Sequence, residues 1–143
     1  MKLRTMTAAD HAAVFLLLQS TPGVVVRQAD GFEATARYLQ RNPGLSFVAE
    51  DEARVIGCLM AGHDGRRGYL HHLLVQPDYR RRGIATALVK SCLAALAAQG
   101  MTKIHLDILV GNHDAAAFWE SLGWHRRSDI ERYSFVQDHT SNP

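Results

Sequence analysis

The sequence predicts a mixed α/β (α+β) domain in which a mostly antiparallel sheet is flanked by helices. Three observations lead there. Segments with the two-residue alternation of strands interleave with segments of helical period along the chain. The runs 46–50 and 55–61, joined over a polar turn, read as an antiparallel hairpin. Residues 75–88 read as the end of a strand, a tight turn and the start of a helix. The 143 residues, 47% hydrophobic, suffice for one sizeable core. No repeat or linker-like stretch divides them, so a single domain over 1–143 is expected.

Residues 2–6 read as a short strand. Thr7 and Asp10 have the spacing of a variant capping box, which opens a helix to about Gln19, stopped by Thr21-Pro22-Gly23. Asp30 with Glu33 repeats that signal for a helix to about Arg41, ended by Asn42-Pro43-Gly44. After the hairpin come a loop over 63–68 and a strand over 69–75, whose long apolar run marks it as central. The spacing then predicts a helix over 82–99, with Ile84, Leu88, Cys92, Ala95 and Leu96 on one face and Gly100 as its stop. A strand over 103–110, a short helix over 114–122 closed by Gly123, and a last strand over 132–136 complete the pattern. The polar tail 138–143 is expected to fray.

Charge and composition narrow the functions. A net charge of +2 is too mild to argue for a nucleic-acid or membrane partner. The pairs Arg66-Arg67 and Arg126-Arg127 read as solvated loop charges, without the interleaved aromatic residues of a nucleic-acid reader. The apolar run Val14 to Leu18 is too short to span a bilayer, and the start of the chain lacks the apolar segment of a signal peptide. Cys58 and Cys92 lie in apolar periodic segments and read as buried thiols of a reducing compartment, so a cytoplasmic protein is expected. His, Cys, Asp and Glu nowhere fall at metal-ligand spacing, so no metal is expected.

The most informative stretch is Val75 to Leu88. In it, Arg80-x-x-Gly83-x-Ala85 places backbone N–H groups, with little side chain in the way, at a helix N-terminus. Such an end carries partial positive charge and unpaired donors, and it suits a pyrophosphate. The spacing is neither G-x-G-x-x-G nor G-x-x-x-x-G-K-[ST]. It resembles the R/Q-x-x-G-x-G/A acyl-CoA loop of the GNAT family of N-acetyltransferases. A second block, Asn112-His113-Asp114-Ala115-Ala116-Ala117-Phe118-Trp119-Glu120-Ser121-Leu122-Gly123-Trp124, is similar to that family's N-x-x-A-x-x-F-Y-x-x-x-G-F segment. The two blocks stand in the family's order, and the match covers about residues 46–127.

The resemblance implies a sheet whose fourth and fifth strands, here about 69–75 and 103–109, splay apart to admit acetyl-CoA as cosubstrate. It implies a phosphate cradle from the backbone of Arg80, Arg81, Arg82, Gly83, Ile84, Ala85 and Thr86. The side chains of Arg81 and Arg82 either add charge near the phosphates or point to water. The main chain of Leu73 and Val75 is implied to pair with the amide-rich pantetheine arm, and Val75 to polarise the thioester carbonyl. Asn112, Ala115 and Phe118 are assigned to the same arm, although Asn112 serves equally well as a helix-entry residue. The implied reaction is acetyl transfer to a primary amine by direct attack, in a chain that often pairs into homodimers. Its rival is an acyl-CoA-binding module without catalysis.

His71 and His72 are adjacent in the fourth strand, so regular alternation sets them on opposite faces. His71 then shares a face with Tyr69, Leu73 and Val75, and is the candidate base, with Glu50 and Asp107 as rivals. Trp119 departs from the family's pattern, which often has Tyr there to protonate the leaving thiolate. Indole donates a hydrogen bond but is no usable acid. Tyr133 and Tyr69 are the candidates to replace it. The acceptor is left open, because residues 22–30 carry no readable signature.

Overall fold

Strands β1 (Lys2–Thr5), β2 (Phe47–Asp51), β3 (Arg54–His63), β4 (Gly68–Val75) and β5 (Ile104–His105) lie side by side in chain order in the computed structural model, which describes residues 1–138. The first three pairings are antiparallel and β4/β5 is parallel. Helices α1 (His11–Ser20) and α2 (Phe32–Arg41) precede β2, α3 (Ile84–Ala98) connects β4 to β5, and α4 (His113–Ser121) follows.

Strand alternation divides the apolar residues between two cores, one on each face of the sheet. Ala49, Leu59 and Ala61 meet Leu88, Cys92 and Leu96 of α3 and Trp119 of α4. Val48, Cys58 and Met60 meet Val14 and Leu18 of α1, with Tyr38 and Leu39 of α2 packed alongside. The hairpin between β2 and β3 turns on Glu52 and Ala53, both left-handed at φ 50° and 63°. That geometry matches the twist of paired strands. Gly68 starts β4 because an added Cβ would sit 2.9 Å from Ile104 Cγ1. β5 could not close against it with any larger residue.

The Thr7–Asp10 signal is realised: the Asp10 carboxylate accepts the Thr7 N–H at 2.9 Å, and a short 3₁₀ turn leads into α1. Arg4 grips the same carboxylate at 2.8 and 2.9 Å and holds its pKa below the ordinary carboxylate value. The signal at Asp30 is not realised as expected. Gly31 precedes α2, while Asp30 closes a separate turn by accepting the Arg27 N–H at 2.8 Å.

The expected strand over 103–110 is confined to Ile104–His105, and the strand over 132–136 does not form. β5 pairs with β4 only at Gly68↔Ile104 and Tyr69↔His105 and then leaves it. Without a neighbouring ladder, an alternating pattern has no hydrogen-bond partner to make it a strand. Leu109, Val110, Tyr133 and Phe135 are accordingly exposed. An exposed ion pair, Arg132 to Asp107 at 3.0 Å, joins the two segments. Of the tail expected to fray, 139–143 lies outside the described residues.

Candidate functional site

β4 carries an extra residue. Cys58 pairs with Leu74 and Met60 with His71, so two steps on β3 face three on β4. His72 takes up the difference in a left-handed conformation, φ 58°, which few non-glycine residues adopt. The bulge reverses the facing of everything after it. Tyr69 and His71 line a cavity beside Tyr38 of α2, whereas Leu73 and Val75 pack with the core on the α3 side. The expectation that His71 shares a face with Leu73 and Val75, opposite His72, therefore fails. His72 reaches the same side as His71 and bonds Asp30, Nε2 to Oδ1 at 2.7 Å.

Beyond Tyr69↔His105 the parallel pair splays. A cleft of about 220 Å³ there is lined by Thr21, Leu73, Leu74, Val75, Arg80, Ala85 and Phe118. Leu73, Val75, Arg80, Ala85 and Phe118 were expected at a cofactor site. Thr21 was not: it reads as a helix stop. The Val75 carbonyl accepts the Arg80 guanidinium at 3.2 Å.

Next to this cleft the chain turns into α3 through Arg81, left-handed at φ 62°, and Gly83, at φ 78°. The first bond of the helix runs from the Ala87 N–H to the Gly83 carbonyl. Among the described residues the backbone N–H groups of Arg81, Arg82, Gly83, Ile84, Ala85 and Thr86 donate to no other group. A Cβ at Gly83 would have nothing within 4 Å, so the space before these donors is open. This is the arrangement an anion needs. The Arg82 guanidinium stands over the Tyr79 ring, 5.0 Å from its centroid, and Tyr79 in turn donates to Asp51 at 2.7 Å. The Arg81 side chain is exposed, and that of Ile84 is in the core.

Asn112 caps α4 by accepting the Ala115 N–H at 3.1 Å, so its helix-entry reading is realised. Trp119 is 8% exposed, edge-on to Phe118 and Trp124 at 5.2 and 5.0 Å between ring centroids. It belongs to the core, and only its neighbour Phe118 lines the cleft. Tyr133 is 90% exposed and does not line this cleft, whereas Tyr69 is half-buried against His105.

Of the base candidates, Glu50 is held by Arg4 at 2.8 Å and Asp107 is exposed and paired with Arg132. His71 keeps an exposed surface, while its ring packs edge-on to Tyr38 at 5.9 Å. Burial, and then the neighbouring His72, lower its pKa from the ordinary 6.5. Cys58 and Cys92 are buried free thiols, each pushed up to about 12 by burial, and neither is a nucleophile at neutral pH. No group of three or more His, Cys, Asp or Glu among the described residues could hold a metal ion, and no described helix is long and apolar enough to cross a membrane.

Comparison with known proteins agrees with this architecture. The profile described as "Acetyltransferase (GNAT) family" matches residues 12–124. Acetyltransferase SG1711 of Sodalis glossinidius is 38% identical over 94 residues, a match that spans 66% of this chain and 66% of that relative. The aminoglycoside 6'-N-acetyltransferase AAC(6')-IG of Acinetobacter haemolyticus has a similar structure, with TM-score 0.77 at 20% identity over 96% of this chain and 100% of that one. AAC(6')-Iy, solved with the bisubstrate analog CoA-S-monomethyl-acetylneamine, superposes with TM-score 0.70 at 22% identity over 96% of this chain and 97% of that one. The splayed parallel pair, the open helix N-terminus beside it and a profile match across most of the length converge: this chain belongs to the GNAT acetyltransferase family.

Proposed function

We propose that the chain transfers the acetyl group of acetyl-CoA to a primary amine by direct attack. One observation carries this reading: the cleft of about 220 Å³ runs along the end of β4 that β5 has left and reaches Arg80 and Ala85, in the turn whose N–H groups from Arg81 to Thr86 are unpaired. An apolar slot ending on a cluster of donors fits a thioester arm that ends in a pyrophosphate. In this reading the arm lies along Leu73 and Val75 and against Phe118. Ala115, half-buried beside Phe118, and Asn112 border it from α4. The phosphates rest on Arg80, Arg81, Arg82, Gly83, Ile84, Ala85 and Thr86, chiefly through the main chain. The main chain at Val75 polarises the thioester carbonyl, so charge that develops on its oxygen meets fixed dipoles rather than bulk water.

The buried thiols Cys58 and Cys92 support a cytoplasmic place of work. Exposed Leu109, Val110, Tyr133 and Phe135 support pairing of two copies, which sedimentation velocity would read directly. The acetyl-transfer reading is tested by screening primary amines and peptides for release of free thiol from acetyl-CoA. Saturable release with at least one amine is expected. Tight CoA binding without release from any amine would leave only the non-catalytic module.

A further inference from the structure

His72, the bulged residue of β4, is flanked along the chain by residues that line two different cavities. Leu73, next along the strand, lines the cleft assigned above to the thioester arm. His71, the residue before, lines a second cavity of about 190 Å³ with Tyr38, Asn42 and Tyr69. The His72 side chain is 32% exposed, so it is held without being sealed. Its Nε2 lies 2.7 Å from Oδ1 of Asp30, a carboxylate only 8% exposed.

Asp30 is itself fixed from several directions. Its second oxygen accepts the Arg27 N–H at 2.8 Å, and its carbonyl takes His11 Nε2 of α1 at 2.8 Å and Thr35 Oγ1 of α2 at 3.5 Å. An ionised carboxylate can only accept, so the proton of a neutral His72 sits on Nε2 and the lone pair on Nδ1. His71 has no such partner: its ring makes no hydrogen bond among the described residues.

We infer that His72, oriented by Asp30, is the group that takes the proton of the acceptor ammonium, and that Asp30 is its positioning residue; this rests on the acetyl-transfer reading. The ammonium gives a proton to His72 Nδ1. The freed lone pair forms the C–N bond at the acetyl carbonyl carbon. The C–S bond breaks, and its electron pair leaves on sulfur as thiolate. A second proton passes from nitrogen to the thiolate through water, and the imidazolium returns its own proton to solvent. The sum is an amide, a free thiol and a released proton from an ammonium and a thioester. Asp30 steadies the imidazolium while it lasts.

The groups facing His72 are compatible with this. Cys58 of β3 donates its thiol to the His72 carbonyl at 3.5 Å and stays neutral. Asp30 brings His11 and Arg27 with it. His71 adjoins on the strand, where His72 helps keep it unprotonated, and the Asp107 and Arg132 charges reach that position in opposite senses.

The test combines pH–rate profiles with imidazole ¹⁵N NMR, using acetyl-CoA and the fastest amine of the screen. His72→Asn keeps a side chain that tolerates left-handed backbone. Its kcat/KM should fall about 100-fold at pH 7, and the loss should shrink as pH nears the amine's own pKa. CoA affinity should hold. In the free wild-type protein, NMR should find the proton on Nε2 of His72. In Asp30→Asn the amide can donate to Nε2, which should move that proton to Nδ1 and lower the rate with the same pH dependence. A wild-type Nδ1–H tautomer, a loss constant across pH, or a pH-dependent loss in His71→Asn and not in His72→Asn would each overturn the inference. Absence of any turnover by wild type would instead sink the acetyl-transfer reading and this inference with it. Turnover with an unaltered His72→Asn profile sinks the inference alone.

Discussion

Leu70 and Leu74 stand four residues apart on β4, yet Leu70 packs in the α3-side core and Leu74 in the α1/α2-side core. In an unbroken strand they would share a face. The left-handed turn at His72 supplies the missing half-period, at a conformational cost of about 1–3 kcal/mol for a non-glycine residue. In return, side chains of one short segment reach both the cleft and the α1/α2 side of the sheet.

Because that bulge sets His71 against Tyr38, its protonation should couple to stability. The native state disfavours the imidazolium, chiefly through burial, so the unfolded chain binds that proton more readily. The stabilisation is complete above the ordinary value of 6.5 and is lost as pH falls from there through the lower native value. The melting temperature of wild type should drop more between about pH 7 and about pH 5 than that of His71→Gln. Parallel curves for the two proteins would show that the site is not coupled to folding.

Gly83 holds the turn into α3 at φ 78° with nothing near its missing Cβ. Gly83→Val therefore meets no clash in the free protein, but it strains the backbone and places methyl groups before the N–H donors. A folded variant with a lowered melting temperature is expected, with CoA affinity reduced at least tenfold, about 1.4 kcal/mol. Calorimetry that finds wild-type affinity in the folded variant would remove the phosphate cradle from this turn. Arg81→Ala should cost less, since its side chain is exposed and its charge is screened.

Trp119 sits in the core between Phe118 and Trp124 and cannot give up a proton. Trp119→Phe should keep turnover within about tenfold, or ~1.4 kcal/mol of barrier. It should lower stability by on the order of 1–2 kcal/mol through lost packing. Single-turnover kinetics and thermal melts separate the two effects. A loss of several thousandfold in a folded, CoA-binding variant would give the indole a direct chemical role.

The elements legible from the sequence are those whose partners lie close by or whose pattern reports directly on burial. The hairpin of β2 and β3 needs only its own turn, and α3 shows its buried stripe through Ile84, Leu88, Cys92 and Leu96. The donors at Arg81 to Thr86 were legible because small residues at a strand-to-helix junction leave backbone exposed wherever they occur. Leu73, Val75, Arg80, Ala85 and Phe118, which the resemblance assigns to a cofactor, line one cleft.

What the chain by itself determined is thus a single alternating pattern, the family to which its two motifs point, and a strand-to-helix junction whose small residues leave backbone donors exposed. Tertiary structure alone decided the rest. Residues 106–110 and 132–136 read as strands in the sequence, but a strand exists only where a neighbour accepts its hydrogen bonds, and β4 has already diverged. Asp30 reads as a helix cap and is instead the carboxylate that holds His72 from 42 positions away. The face of every β4 side chain beyond His71 depends on one left-handed residue that composition does not mark. Periodicity reports local geometry. Bulges, strand partners and charge pairs between distant segments depend on which surfaces meet once the sheet and its helices have packed.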